Sequence, residues 1–106
     1  MQEKSKLAAY VGFSVKSRNV VYGYENVIAA GRRVLLVLCD PSLGESSRKK
    51  ILAFSERMKV ETFFLKSDEL SSYCGGKNVK CIGLTDPNLA SAAQKELKNA
   101  IGGSNQ

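Results

Sequence analysis

Apolar positions along the chain alternate between a four-residue spacing and short unbroken runs, and each switch marks a new element. Leu7, Val11 and Val15 recur at every fourth residue, with Tyr10 and Ser14 alongside, as on a helix with one buried face. Val20-Val21-Tyr22 is a short strand. Gly23 turns it into a helix that starts at Tyr24 and ends on Gly31, a C-terminal glycine. Arg33 to Cys39 reads as a strand covered on both faces, because Val34 onwards is apolar without a break. Asp40-Pro41-Ser42-Leu43-Gly44 interrupts it, and the polar Glu45-Ser46-Ser47 leads into a helix marked by Ile51, Phe54 and Met58. Val60 to Leu65 is the next strand. Ser67 caps a short helix whose acidic start, Asp68-Glu69, suits the positive end of the dipole, and Gly75-Gly76 closes it. Val79 to Leu84 is the last strand. Asp86-Pro87 opens the final helix, with Leu89, Ala93, Leu97 and Ile101 on its buried stripe.

Helix and strand thus alternate four times before a closing helix, which specifies an α/β layered domain with helices on both faces of one sheet. At 106 residues and 43% apolar, the chain holds one domain and one core. Residues 1–101 form that domain, and Gly102 to Gln106 read as a disordered tail. The charged stretch Met1 to Lys6 has no apolar core behind it and does not read as a secretory signal. The longest apolar run, Val34 to Cys39, falls far short of the roughly 20 residues that span a bilayer. A cytoplasmic protein with no membrane partner is expected.

Several chemistries drop out. The chain has no histidine, so imidazole acid–base catalysis and histidine metal sites are excluded. Cys39, Cys74 and Cys81 show no CxxC spacing, which argues against a disulfide framework and a zinc site; Cys39 and Cys81 read as small buried thiols. Gly75-Gly76-Lys77 leads into Asn78 and a strand, where a phosphate loop needs Ser or Thr and a helix. Asp40, with Ser42, Ser46 and Ser47 after it, lies where α/β sheets gather ligands, although Asp-Pro-Ser is also ordinary turn chemistry. A non-catalytic protein without metal, cofactor or small-molecule substrate is the expectation.

Charge adds a direction. Sixteen Lys and Arg against ten Asp and Glu leave +6, of which residues 1–53 carry +5. Size alone divides evenly between a polyanion partner and a solvated basic surface. Placement is more informative. Lys16 and Arg18 precede the first turn, Gly23-Tyr24-Glu25-Asn26 begins a helix, and Lys77-Asn78-Val79-Lys80 makes a second basic turn. Here Lys16, Arg18, Lys77 and Lys80 would neutralise phosphates, Gly23 would let a backbone come close, and Glu25 and Asn26 would bond base edges. Tyr24 would stack on a base or pack on a neighbouring loop. Arg32 and Arg33 would extend the patch, whereas Arg48-Lys49-Lys50 reads as a solvated helix face.

An ordered set of these features resembles the ribosomal-protein superfamily typified by L-seven-Ae and L-thirty-e, and most closely its small bacterial members. It comprises Gly12 with Lys16, Gly23, the strand Val34 to Leu38, Ser47-Arg48-Lys49-Lys50, Asp68-Glu69-Leu70, and Asn78 to Leu84 followed by Thr85-Asp86-Pro87-Asn88-Leu89-Ala90. Together they span Leu7 to Leu97. The resemblance implies a three-layer α/β/α sandwich around a mixed four-stranded sheet. It also implies RNA as the partner, typically a kink-turn, with ribosomal RNA and ribosomal proteins as the setting. Protein–protein contact modules occur on the same fold and are the alternative. In the family, the contact comes from a glycine-led helix start bearing Asn-Glu with a Lys one turn on, and from an apolar loop before the last strand. Here Gly23 and Val79 match, the pair is reversed as Glu25 and Asn26, and Ala29 occupies the Lys position.

Overall fold

All nine elements form in the predicted order in a computed structural model that describes residues 5–105. They are α1 (Ser5–Lys16), β1 (Val20–Tyr22), α2 (Tyr24–Ala30), β2 (Leu36–Cys39), α3 (Glu45–Met58), β3 (Thr62–Phe64), α4 (Glu69–Tyr73), β4 (Cys81–Leu84) and α5 (Pro87–Asn105). Most of the expected stops and starts act as such, but α4 is led by Asp68 in a left-handed conformation, with no cap bond from Ser67. Gly31 takes φ +58° and donates its N–H back to α2, while the Asp86 carboxylate accepts from the N–H groups of Asn88 and Leu89 to cap α5.

Strands β3 and β4 are shorter than the apolar runs Val60–Leu65 and Val79–Leu84, and two further boundaries differ from the pattern. Strand β2 begins at Leu36, because Gly31–Arg33 form a 3-10 turn and Val34 N–H donates to the Gly31 carbonyl. An apolar run records burial, not ladder pairing. Helix α5 continues through residues 102–105, predicted as tail, since an established helix gains one hydrogen bond for each residue added. Residues 1–4, within the N-terminal stretch, and Gln106 of the tail lie outside the described residues.

The sheet has the order β1-β4-β2-β3; β4 is antiparallel to both its neighbours, and β2 and β3 are parallel. Its side chains alternate. Leu36, Leu38, Ile82 and Leu84 pack with Leu7 and Val11 of α1, Leu70 of α4, and Ala90 and Ala93 of α5. Val37, Cys39 and Cys81 face the other way, onto Val27 of α2 and Ile51 and Phe54 of α3. The result is the three-layer sandwich with a mixed four-stranded sheet. Among the described residues no helix is long and apolar enough to cross a membrane.

Strand direction sorts the loops. Because β1, β2 and β3 run one way and β4 the other, Gly23, Asp40–Gly44, Leu65–Asp68 and the Gly75–Lys80 turn gather at one end. Arg18–Asn19, Gly31–Leu35 and Thr85–Asp86 gather at the opposite end.

Helix α2 lies tightly on β4 at Gly83, where an added Cβ would stand 3.0 Å from Val34 Cγ1 and 3.3 Å from Val27 Cγ2. Both valines are buried and stiff at χ1, so neither yields. Gly83→Ala is therefore expected to cost about 1–3 kcal/mol in overpacking, read as a lower urea midpoint without loss of the folded baseline.

Candidate nucleic-acid interface

Asp40 ties the loops of the Gly23 end together. It follows β2 directly, is 1% exposed, and its N–H donates to the Lys80 carbonyl at 2.9 Å. Its Oδ1 accepts from Ser42 Oγ at 2.6 Å and from Ser42 N–H at 2.9 Å. Its Oδ2 accepts from the N–H of Asp68 at 2.9 Å, across a 28-residue separation. That last bond holds Asp68 at φ +66°, a conformation that asparagine and aspartate tolerate better than most residues. The Ser42 hydroxyl above all, then the Ser42 and Asp68 N–H groups and the Lys80 charge, keep the carboxyl below its ordinary range despite burial. The carboxylate's partners are all donors, from its own loop and the β3–α4 loop, and the backbone N–H reaches the turn before β4, so Asp40 is a structural clamp.

Next to this clamp the loops enclose an open cavity of about 450 Å³. Tyr22, Gly23 and Tyr24 form one wall, Leu43, Gly44 and Ser47 a second, and Asn78 to Cys81 the third. Gly23 takes φ +90°, and its N–H donates to the Cys81 carbonyl, which brings the β1–α2 turn against the start of β4. Asn26 closes that turn from the far side by donating Nδ2–H to the Tyr22 carbonyl at 2.9 Å. Two cations stand over its aromatic wall. Lys77 Nζ lies 4.8 Å from the Tyr22 ring centroid and Lys50 Nζ 6.0 Å from that of Tyr24. Aromatic faces, basic side chains and polar turn residues in one concavity suit an anionic ligand with flat, partly apolar groups.

The predicted residues divide between the two ends. Gly23, Tyr24, Asn78, Val79 and Lys80 line the cavity, Lys77 reaches over Tyr22, and Glu25 and Asn26 sit exposed on the first turn of α2. The Tyr24 hydroxyl donates to Glu25, so the two side chains are held side by side. Lys16 and Arg18 are not brought to this group. They precede β1, and from Asn19 to Gly23 the chain travels four residues, roughly 13 Å at a strand's rise. Arg32 and Arg33 also lie at that opposite end. Conversely, Ser47 lines the cavity and Lys50 reaches over Tyr24 at its rim, whereas the Arg48–Lys50 face is exposed as expected and Arg48 packs on Phe64 of β3, outside the cavity lining. The clue to Ser47 and Lys50 was their place just after the loop leaving β2, a clue that counts only once β1 and β2 are known to run in parallel.

Cys39 and Cys81 lie directly opposite each other on β2 and β4, fully buried, with Sγ atoms 3.7 Å apart. The Cys39 thiol donates to Cys81, and that bond together with burial pushes its pKa up, so it stays protonated and is a poor nucleophile.

Two solved structures share this fold. A protein of unknown function from Bacillus halodurans superposes with a TM-score of 0.81 at 20% identity, covering 88% of this chain and 97% of its own. The Giardia lamblia 15.5 kD RNA-binding protein superposes with a TM-score of 0.71 at 11% identity, covering 96% of this chain and 90% of its own. At these identities the likeness is one of fold. No family model and no curated protein matches the sequence.

Removing the clamp takes away the acceptor that the exposed Ser42 and Asp68 loops share. Asp40→Ala is expected to lose about 1–3 kcal/mol of stability at neutral pH, measured by denaturant unfolding. The folded pKa lies below the unfolded value of about 3.9, so the carboxylate's contribution is complete above that value. It falls away as pH drops through the lower folded-state pKa, and the gap between wild type and variant should narrow there.

Proposed function

We propose that the chain is a non-catalytic RNA-binding protein of the L-seven-Ae and L-thirty-e superfamily that recognises bent, structured RNA of kink-turn type at the Gly23 end. Its setting is the bacterial cytoplasm, on ribosomal or other structured RNA. The observation that carries this reading is the cavity itself: Tyr22, Tyr24 and Val79 offer surfaces for an unpaired base, while Lys77, Lys80 and Lys50 stand ready for the flanking phosphates. The fold shared with an RNA-binding protein supports it, as does the family resemblance at Gly23 and Val79. Glu25 and Asn26 lie on the exposed turn beside the opening, where base edges would come within reach. Ala29 is exposed one turn further on, so the phosphate contact that a lysine makes there in the family is missing.

Titration of a kink-turn RNA, a plain duplex and a single strand at several salt concentrations tests the reading. The kink-turn should bind most tightly, with log affinity falling against log salt by roughly 0.7–0.9 for each phosphate neutralised. Lys77→Gln with Lys80→Gln should reduce that slope by about 1–2. Equal and weak binding to all three RNAs would sink selective recognition and leave the protein-contact module.

Two further variants separate the contributions. Tyr24→Ala should weaken kink-turn binding of the folded protein by about 1–3 kcal/mol where the ring stacks on a base, and, because the half-buried ring also packs on the Val27 and Phe54 cluster, should lower the unfolding midpoint as well. Ala29→Lys should raise affinity for the kink-turn several-fold and steepen its salt dependence by about one phosphate.

A further inference from the structure

Four cations stand at the end of the sheet remote from the cavity, and the proposed function leaves them unused. Lys16 is the last residue of α1, Arg18 follows in a turn at φ +63°, and Arg32 and Arg33 lie in the 3-10 turn after α2. Two segments distant in sequence meet here. The Asn19 carbonyl accepts from Thr85 N–H, and Leu35 N–H donates to the Leu84 carbonyl, so Arg18 and Arg33 flank the end of β4 on either side. Two strand spacings put their backbones about 10 Å apart.

All four side chains are exposed, and among the described residues none has a carboxylate partner. Of the carboxylates at this end, Asp86 accepts from two N–H groups of α5, Glu61 pairs with Lys98 at 3.3 Å, and Glu56, on the last turn of α3, forms no ion pair with any of the four cations. Like charges gathered without counter-charge repel one another, and an anionic partner relieves that repulsion. One more feature narrows the partner. Phe13 is 56% exposed, three residues before Lys16 on the face of α1 turned away from Leu7, Val11 and Ser14. An exposed ring beside uncompensated cations suits a stacked base next to its phosphates better than it suits an acidic peptide.

Resting on the RNA-binding reading of the chain but not on the Gly23 site, we infer that this end is a second RNA-contacting surface. Lys16, Arg18, Arg32 and Arg33 hold the phosphates of a single-stranded segment and Phe13 stacks on one of its bases. With both ends occupied, the protein bridges two RNA segments across the length of its sheet.

The test uses the full chain, an immobilised kink-turn RNA and a labelled 20-nucleotide unstructured strand. Wild type should bind the free strand and also capture it onto the kink-turn. The variant Lys16→Gln, Arg18→Gln, Arg32→Gln, Arg33→Gln should keep kink-turn affinity within about threefold, lose capture, and show a salt slope for the free strand lower by roughly 3. Phe13→Ala should weaken strand binding about fivefold or more with the slope unchanged. A control that neutralises Lys6, Lys49, Lys66 and Lys95 removes the same charge from exposed positions away from this end and should still capture. Capture by the four-site variant, or equal loss in the control, would overturn the second surface. Unaltered strand binding by Phe13→Ala would reduce it to a general anion site and overturn the assignment to RNA. A kink-turn that does not bind at all would be a failure of the Gly23 site, because binding of the free strand reads the second surface by itself.

Discussion

Buried at the end of β2, the Asp40 carboxylate accepts hydrogen bonds from the β2–α3 and β3–α4 loops, while its own N–H reaches the turn before β4. A buried charge is tolerable only when its lone pairs are met, so those loops keep the positions that meet them. The cavity walls formed by Leu43–Ser47 and Asn78–Cys81 follow from that constraint. So does the left-handed backbone at Asp68, which the bond from Asp40 helps to hold. Rigid loops on a sheet present side chains to a ligand with little ordering left to do on binding.

A second constraint acts on the other face of the sheet. Gly83 lets α2 approach closely enough for Val27 and Val34 to pack on β4, and the Gly23 turn sits at the head of that helix. Gly23 itself bonds to Cys81 beside the paired thiols, so core packing and cavity wall share the same two residues of backbone. Stability and recognition are coupled here through position.

Much of the fold was legible because periodicity reports burial directly. The i, i+4 stripe of α1, the unbroken Val34–Cys39 run and the Asp86-Pro87 start each produced the expected element. What failed was finer. The pairing edge of β2 and the end of α5 depend on which backbone groups find partners, and side-chain pattern is silent on that. Half of the candidate site was visible as well. Gly23, Tyr24 and Asn78–Lys80 drew attention as a glycine-led helix start and a basic turn, and they do share one cavity. Lys50 was hidden because a charged helix start looks the same whether it faces bulk solvent or a neighbouring loop.

The sequence by itself determined the α/β class, the order of elements, the buried stripes and the lack of any histidine. Those properties depend on residue type and local spacing, which survive without knowledge of the partner strand. The distribution of its +6 charge over space was decided by the tertiary structure. Parallel β1 and β2 with an antiparallel β4 between them carry Lys77 and Lys80 to the end where Gly23 turns, and leave Lys16, Arg18, Arg32 and Arg33 at the other. Strand direction is set by long-range hydrogen bonds, and a one-dimensional pattern of apolar and charged residues does not encode which way a strand must run.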